Sequence, residues 1–377
     1  MTDVSVLVPT FKRAGLLKVS LESILAQTNS PAEIIVIDDG SNDETETVVR
    51  GLSSDIEFIA KPENSGKAAS LNLGIKKATG SLIWIMDDDD IALPHALETL
   101  TDLLDQNPDA GFAYGRHMRF SEDASGTRTE LGTGYWQTCT PEDFLTQTLE
   151  DFFPHQPGML IRKSLFETVG RFDADLKRSQ DYEMLIRLAR AAPCANTDDI
   201  VFLQRQHAGI RGTAGDRFAA SHSNAKWMEY DQEIFRKLRD TLSLNEYLPR
   251  GETANTDAQK RMALLQRGVI FARKKLWELA IEDFETAAEF GPTSLTDTEK
   301  TLLRRTLASK YGCDEVREDP DIIGNLKKVK SIQPAGAAIV QGIMRGMRWR
   351  IREAIQTGQP LQAIGLVQRS LTVSLSR

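Results

Sequence analysis

Along the first third of the chain, short apolar runs alternate with longer segments whose apolar residues recur at helical spacing. The short runs are rich in β-branched residues, which predicts buried strands. The four predicted strands are Val4–Val8, Glu33–Ile37, Ile56–Ile59 and Ser81–Met86. The predicted helices are Leu16–Leu25, Asp43–Leu52, Gly66–Thr79 and Pro94–Leu104. Apolar strands separated by helices are typical of an α/β fold with a mostly parallel central sheet and helices on both faces.

Beyond this region the pattern becomes less regular and then almost wholly helical. Residues 111–160 are rich in glycine and aromatic residues and predict short strands and loops. The next predicted elements are helices at Lys163–Val169 and Ser179–Ala192 and a strand at Ile200–Gln204. From Phe218 onward strand signals disappear, and the polar stretch Pro249–Asp257 is the predicted linker. The expected parts are an α/β domain at 1–217, a helical connector and linker at 218–257 and a helical appendage at 258–377.

One segment of the helical region carries a repeat-like pattern. Small residues alternate there with aromatic and other apolar residues, at Leu264, Gly268, Phe271, Ala280, Phe284, Ala287 and Pro292. The spacing resembles one tetratricopeptide unit, in which a small residue lies where two helices touch. Residues 344–375 are a candidate for a degenerate second copy. Because three units are usually needed for an autonomous stack, we expect a small appendage or interaction arm.

The composition excludes several classes of protein. Of the 377 residues, 41% are apolar and 27% charged, as in ordinary folded proteins of two or three domains. The net charge of −8 argues against nucleic-acid binding by the chain as a whole. The three cysteines are far apart and lack metal-ligand spacing. With neither a signal-peptide pattern nor a run of roughly 20 apolar residues, the chain is expected in the cytoplasm.

The charge is unevenly distributed along the chain. Residues 331–377 hold six arginines and one acid, Glu353, which gives +5 there and −13 for the remainder. Within this segment, Gly342–Ile355 has an amphipathic pattern that would let a helix rest on anionic lipid at the inner membrane face. A solvated helix or one that binds a protein partner is an equally good interpretation.

Four consecutive aspartates, Asp87–Asp90, follow the fourth predicted strand. Carboxylates packed this tightly repel one another, so a fold tolerates them in open solvent or around a cation. The run lies between an apolar strand and Ile91–Pro94, which favours a fixed loop over a solvated acidic turn. Hard oxygen ligands suit Mn²⁺ or Mg²⁺, whose remaining positions go to substrate phosphates. We therefore expect one of these ions as the cofactor.

Three further segments offer groups to a ligand. Asp39, within Asp38–Ser41, can accept hydrogen bonds from a ligand, although Asp-Gly is also a routine turn signal. Phe11 follows the first strand, where an aromatic ring can stack on a base or fill the core. The segment Asn64–Lys67 opens a helix, whose backbone N–H groups can meet an anion or form an ordinary helix start. In parallel sheets, ligands bind beyond the carboxyl ends of the strands, where these segments are expected.

In this order and at this spacing, the segments resemble the family 2 glycosyltransferases of the GT-A fold. The motifs that carry the resemblance are Val8–Phe11, Asp38–Ser41, Asn64–Gly74, Asp87–Asp90 with Pro94, Ser179–Glu183 and Leu203–His207. Together they cover about residues 3–215. The resemblance implies an inverting enzyme that moves a sugar from a nucleotide-diphosphate sugar, with UDP favoured, to an acceptor hydroxyl.

The resemblance also implies roles for individual residues. The implied nucleotide-sugar-binding residues are Pro9, Thr10, Phe11, Arg13, Asp39, Asn64, Gly66, Lys67, Asp87, Asp88 and Arg205. Among them, Asp39 would accept the ring N–H of the base, which favours uracil. The implied metal ligands are Asp89, Asp87 and His207. A lone histidine is also often a structural hydrogen-bonding residue.

Asp181 matches the position of the family's catalytic base and would take the proton of the acceptor hydroxyl. A carboxylate in the first turn of a helix is also favoured by the helix dipole alone. Two positions depart from the family pattern. Gln180 replaces a glutamate, and Leu71 replaces an arginine that meets the diphosphate in many members. Lys67 is the nearest substitute for that arginine.

The implied acceptor is a polysaccharide, a lipid-linked sugar or a protein. His155 is a candidate for its pocket. Trp136 is a candidate to stack on a sugar ring, although its side chain can serve core packing instead. A sugar nucleotidyltransferase would need a glycine-rich phosphate loop after the first strand, and Pro9–Arg13 is not such a loop. The other alternative is a scaffold that binds nucleotide sugar without turnover and recruits a partner through its helices.

Overall fold

The four strands predicted in the first third of the chain lie side by side. The structure is a computed structural model that describes residues 3–206, 210–211, 218–219 and 223–374. The strands are β1 (Val4–Thr10), β2 (Glu33–Asp38), β3 (Ile56–Ala60) and β4 (Leu82–Ile85). Their order is β3–β2–β1–β4, and each neighbouring pair is parallel. The predicted parallel arrangement is confirmed for this part of the sheet.

Helices cover both faces of these strands, as the apolar runs predict. They are α1 (Ala14–Leu25), α2 (Thr45–Leu52), α3 (Lys67–Lys77) and α4 (Ala96–Gln106). Val6 and Val8 of β1 belong to a buried cluster that includes residues of α1, α2 and α4. On the other face, a Cβ on Gly74 of α3 would lie 2.9 Å from Ile37 and 3.2 Å from Leu7. Glycine therefore lets α3 approach β1 and β2 closely.

The sheet continues with strands of mixed direction. They are β5 (Ile91–Ala92), β6 (Phe112–Glu122), β7 (Arg128–Thr133), β8 (Met159–Arg162) and β9 (Cys194–Arg205). Beyond β4 the order is β8–β6–β9–β5, and β7 pairs with β6. Strand β8 is antiparallel to β4 and β6, whereas β6 and β9 are parallel. The fold is therefore α/β with a mixed sheet.

Residues 111–160 are more regular than their sequence pattern predicts. They contain the 11-residue strand β6 and the helix α5 (Phe144–Glu150), which the expectation of short strands and loops missed. The reason lies in tertiary packing, because the ring of Tyr114 lies 5.0 Å from that of Phe144 and 6.0 Å from that of Phe153. The later helices α6 (Lys163–Val169) and α7 (Gln180–Ala191) confirm their predictions.

The chain divides into two compact units. The first comprises Met1–Phe144 and Phe152–Ala220, and the second Leu145–Asp151 and Ser221–Arg377. The first unit also holds the antiparallel pair β10 (Ile210–Arg211) and β11 (Phe218–Ala219). The expectation that strands end before Phe218 was therefore wrong at that position. The domain boundaries at 217 and 257 stay a prediction.

The described part of the second unit is helical. Its α-helices are α8 (Ser223–Thr241), α9 (Asp257–Arg273), α10 (Trp277–Ala288), α11 (Asp297–Arg304), α12 (Asp314–Glu318), α13 (Pro320–Ser331), α14 (Gly336–Gln356) and α15 (Pro360–Ser374). A Cβ on Gly268 would lie 2.6 Å from the ring of Phe284, so α9 and α10 touch at a small residue. The resemblance to a tetratricopeptide unit stays a prediction. Among the described residues, none of the helices combines the length and hydropathy needed to cross a membrane.

Trp84 offers a test of the core of the first unit. It is the largest fully buried side chain among the described residues, and its Nε1 donates to the Pro157 carbonyl at 2.8 Å. We expect Trp84→Ala to lower the free energy of unfolding by about 3–5 kcal/mol, because it removes this bond and leaves a cavity. Urea denaturation followed by circular dichroism measures the change. Leu131→Ala, at a position that is 44% exposed, should cost less than about 0.5 kcal/mol. Equal stability of the two variants would contradict this account.

Candidate active site

The acidic run lies at the edge of the sheet where the parallel strands end. Asp87–Asp90 follow β4 and precede β5, while Thr10 ends the neighbouring strand β1 and Asp38 ends β2. The carboxyl ends of parallel strands share one edge of a sheet, so these groups converge although they are far apart in sequence. This confirms the expectation that the acidic run occupies a fixed loop at a strand end.

The carboxylates of the acidic run point in two directions. Asp88 is buried, accepts a hydrogen bond from Thr10 Oγ1 at 2.8 Å and lies 3.0 Å from Arg13 Nη1. Burial raises the pKa of Asp88 to about 6, although the guanidinium of Arg13 partly offsets the effect. The other three residues, Asp87, Asp89 and Asp90, each offer an oxygen, and these atoms lie within 4.8 Å of one another.

Two cations hold the acidic run together. Arg13 Nη1 contacts Asp88 at 3.0 Å and Asp89 at 2.8 Å, and Lys67 Nζ lies 2.5 Å from Asp87. Burial disfavours the charge on Lys67, but Asp87 and Asp181 outweigh it and raise the pKa of this lysine. Arg13 and Lys67 therefore stay charged and neutralise part of the repulsion.

Arg205 ties the end of β9 to the same loop. Its backbone N–H donates to Asp90 at 2.9 Å, its Nε donates to the Asp89 carbonyl at 3.0 Å and its Nη1 lies 3.1 Å from Glu122. Asp90 is buried, and burial together with Asp87 and Asp89 raises its pKa well above the usual range. The sequence pattern pointed to Arg205 but not to this contact with Asp90.

The donor set of the acidic run fits a hard divalent cation. Three carboxylates within 4.8 Å of one another are the oxygen ligands that Mg²⁺ and Mn²⁺ prefer. Asp87 and Asp89, two of the implied ligands, belong to this set, and Asp90 is a third donor that the sequence reasoning did not select. Since Asp88 points instead towards Thr10 and Arg13, the loop separates its carboxylates into two groups.

Asp39 connects the end of β2 with the start of α3. Its carboxylate accepts hydrogen bonds from the backbone N–H groups of Ser65 at 2.9 Å and Gly66 at 2.8 Å, and it pairs with Lys61. The turn between them is close, because a Cβ on Gly40, where φ is +81°, would lie within 3.1 Å of the backbone ahead of α3. Asp39 therefore fixes the turn at this position.

Asp181 is a half-buried residue in the first turn of α7. Its Oδ1 accepts a hydrogen bond from the backbone N–H of Tyr182 at 2.9 Å. Burial raises the pKa of Asp181, Lys67 counteracts that rise, and Asp87 adds to it. Lys67 is thus coupled electrostatically to both the acidic run and Asp181. The neighbouring Gln180 turns back and donates its amide to the Leu176 carbonyl.

Comparison with known proteins identifies the family. Residues 5–170 match the family model described as Glycosyl transferase family 2. YwdF from Bacillus subtilis, an uncharacterized glycosyltransferase, is 30% identical over 202 residues, which are 51% of this chain and 72% of that protein. The chain belongs to glycosyltransferase family 2.

A further curated relative and a solved structure resemble this family 2 chain. An uncharacterized glycosyltransferase from Rickettsia conorii is 29% identical over 240 residues, covering 62% of this chain and 39% of that protein. Residues 1–349 of TarS from S. aureus, in complex with UDP-GlcNAc, superpose with a TM-score of 0.51 and 16% identity over 95% of this chain and 93% of that one. The likeness to TarS confirms the predicted GT-A fold. The chain spans well under two thirds of the Rickettsia relative.

Several residues predicted for the family 2 site lie apart from the contacts around the acidic run, and one lies outside the described residues. Phe11 is 39% exposed, which excludes the core-filling interpretation. Pro9 is buried within β1, and Asn64 is exposed in the turn before α3. His207 lies outside the described residues, so its role as a metal ligand stays a prediction. Leu71 is fully buried in α3 and offers no charge to a diphosphate.

Both Trp136, the candidate for stacking on a sugar ring, and His155, the candidate for the acceptor pocket, pack against other side chains. Trp136 lies 5.5 Å from the Tyr114 ring and donates its Nε1 to Asp198 at 2.9 Å. The ring of His155 lies 4.8 Å from that of His117. Burial, together with Arg119 and Arg116, lowers the pKa of His117 to about 4, so this histidine is neutral at pH 7.

Some residues that support the site were not found from the sequence. Ser20 donates to the Asp87 carbonyl at 3.0 Å, and Lys61 pairs with Asp39. The side-chain amide of Asn72 donates to the Phe172 carbonyl at 2.9 Å and accepts from the Phe172 N–H at 2.8 Å. Their partners lie 22 to 100 residues away in sequence. Local patterns carry no signal for such contacts.

The raised pKa of Asp88 predicts a dependence of stability on pH. The carboxyl binds its proton more tightly in the folded chain, at a pKa of about 6, than in the unfolded chain, where aspartate has a pKa of about 3.9. Its contribution to stability is therefore complete below pH ~4 and is lost as the pH rises through ~6. As the pH rises from ~4 to above ~6, we expect the free energy of unfolding of Asp88→Asn to increase by about 1–2 kcal/mol relative to that of the parent.

Urea denaturation in EDTA at pH 4, 5, 6 and 7 measures this gain as the difference between variant and parent at each pH. Any constant offset from the lost contacts of Asp88 cancels in the comparison. Asp102→Asn, at an exposed position on α4, is the matched control and should follow the parent. Parallel curves for Asp88→Asn and the parent would show that Asp88 does not titrate as described.

Proposed function

We propose that this chain is a metal-dependent, inverting glycosyltransferase that moves a sugar from a nucleotide-diphosphate sugar to an acceptor hydroxyl. One observation carries the proposal: Lys67 is coupled to Asp87 of the acidic run and to Asp181 at the start of α7. Asp87, which suits a metal-bound diphosphate, and Asp181, which suits proton transfer, therefore interact electrostatically with the same lysine.

The proposed donor is a UDP-sugar. The exposed ring of Phe11 is available to stack on a base, and Thr10 lies beside it. Asp39 is the proposed acceptor for the ring N–H of uracil, which requires it to exchange one of its present partners near Gly66. The complex of TarS from S. aureus with UDP-GlcNAc, which shares this fold, supports a uridine nucleotide as the first to test.

The diphosphate is proposed to lie beside the acidic run. Mn²⁺ or Mg²⁺, held by Asp87 and Asp89 with His207 as a further proposed ligand, would supply positive charge that stabilises the departing nucleotide diphosphate. Lys67 and Arg13 now contact the carboxylates and are the cations available to bind phosphate oxygens. The proposed contributors around them are Pro9, Asn64, Gly66, Asp88 and Arg205.

Asp181 is the proposed general base. It accepts the proton of the acceptor hydroxyl while that oxygen bonds to the anomeric carbon and the bond from this carbon to the phosphate oxygen breaks. Direct displacement by one nucleophile inverts the configuration at that carbon. Burial raises the pKa of Asp181, which makes its carboxylate a stronger base than an exposed aspartate. The proposed acceptor is a polysaccharide, a lipid-linked sugar or a protein.

A panel of nucleotide sugars tests the donor. Each is incubated with the chain and Mn²⁺ without acceptor, and released nucleotide diphosphate is measured, because transferases of this kind are expected to hydrolyse their donor slowly. We expect release from a UDP-sugar and none from the GDP- and CDP-sugars. Tight binding of a nucleotide sugar with no release from any of them would instead favour the scaffold.

Replacing the proposed base separates binding from chemistry. We expect Asp181→Asn to bind the donor as the parent does but to lower turnover by roughly 100- to 10,000-fold, because the amide cannot accept the proton. Calorimetry measures the binding and nucleotide release the turnover. Asp175→Asn, at an exposed position shortly before α7, is the matched control and should retain activity. Full turnover in Asp181→Asn would refute the assigned base.

A further inference from the structure

A stripe of basic and apolar side chains, exposed except for the half-buried Arg345, runs along the second half of α14. Its members, spaced at i, i+3, i+4, i+7 and i+10, are Arg345, Arg348, Trp349, Arg352 and Ile355. This spacing places them on one side of a helix. The opposite side is buried, through residues such as Ile343, Met347 and Ala354. The helix therefore packs on its own unit with one side and leaves the stripe outside.

Among the described residues, the arginines of the stripe have no acidic partners. Within the described parts of the chain, no carboxylate forms an ion pair with Arg345, Arg348 or Arg352. Arg350, which lies off the stripe, differs: its Nε donates to the Leu307 carbonyl at 2.8 Å and its Nη1 pairs with Glu353 at 2.7 Å. The fold uses Arg350 internally, whereas the stripe leaves its charges available.

Apolar side chains are exposed where α14 passes into α15. Trp349 is 50% exposed, Ile355 63%, Leu361 83% and Ile364 53%. Ile355 ends the stripe, and Leu361 and Ile364 begin α15 just after the turn at Thr357–Gln359. Since Leu361 and Ile364 are three residues apart, they share a side of α15. We call the stripe together with Leu361 and Ile364 the basic apolar surface.

We propose that the basic apolar surface binds the anionic headgroups of a lipid bilayer and that this chain is a peripheral membrane protein. Arginine pairs with phosphate through several N–H donors, and its aliphatic stem tolerates an apolar environment. Trp349 has arginines one turn before and after it, so its ring can enter the headgroup region while they meet phosphates. Ile355, Leu361 and Ile364 supply apolar side chains that can enter the same boundary.

Charge complementarity favours anionic lipid over a second copy of this chain as the binding partner of the basic apolar surface. The segment 331–377 carries +5 and the remainder of the chain −13, so an anionic surface attracts this segment and repels the rest. The same charge repels the basic apolar surface of a second copy, which argues against a symmetric dimer through it. The segment that holds the basic apolar surface is therefore the part of the chain that an anionic lipid surface attracts.

Co-sedimentation of the full chain with lipid vesicles tests the proposal. We expect binding to vesicles of phosphatidylglycerol and phosphatidylcholine in equal parts, none to phosphatidylcholine alone, and release as salt screens the charges. Arg348→Gln with Arg352→Gln should lower the partition coefficient roughly tenfold or more. Trp349→Ser should also weaken binding, while the circular dichroism spectrum stays unchanged because the side chain is exposed.

The matched control removes two exposed cations elsewhere. Lys76→Gln with Lys77→Gln, at the end of α3, should bind the mixed vesicles as the parent does. Binding that is absent, equal on neutral and anionic vesicles, or equally lost in this control would overturn the proposal. Sedimentation velocity without lipid tests whether a second copy of the chain binds this surface instead. If the parent is a dimer that Leu361→Ser dissociates, the surface is a dimer interface and the proposal is overturned.

Discussion

Repulsion among the four carboxylates that follow β4 is the constraint on which the site depends. Two unit charges 4.8 Å apart repel by about 3–4 kcal/mol at an effective dielectric constant near 20. The fold offsets this with Arg13 and Lys67, which contact Asp87, Asp88 and Asp89 between them. Burial keeps Asp88 and Asp90 prone to protonation, as their raised pKa values indicate. The acidic run is therefore stabilised by nearby positive charge, which Arg13 and Lys67 supply in this structure and which a bound cation could also supply.

Both cations belong to the starts of helices. Arg13 is the N-cap of α1, and Lys67 is the first residue of α3. The N-terminus of a helix carries a partial positive charge from its unpaired N–H groups, so each helix adds to the field of its cation. In the proposed function Asp87 and Asp89 would hold a divalent cation, and Arg13 and Lys67 would then be available to bind phosphate oxygens. Asp181 shares this field through Lys67.

The features that could be predicted from the sequence are those that depend on residues close together along the chain. The apolar runs of β1 to β4, the helices between them and the acidic run all follow from neighbouring residues, and the ordered motifs led to family 2 and the GT-A fold. Strand β6 and helix α5 did not follow, because the rings of Tyr114, Phe144 and Phe153 meet only in the folded chain. The pairing of Asp39 with Lys61 and the bond from Arg205 to Asp90 were missed for the same reason. Asp88 and Asp90 show this most clearly, since identical neighbours in sequence have different partners.

Calorimetric titration of UDP into the chain, once with Mn²⁺ and once with excess EDTA, tests the central claim most directly. If the acidic run exists to hold a divalent cation that accompanies a diphosphate, UDP binds with Mn²⁺ and at least tenfold more weakly in EDTA. Asp89→Ala with Mn²⁺ should then behave as the parent does in EDTA. UDP binding of equal strength in both conditions would contradict the account, because Arg13 and Lys67 would then hold the phosphates without any metal.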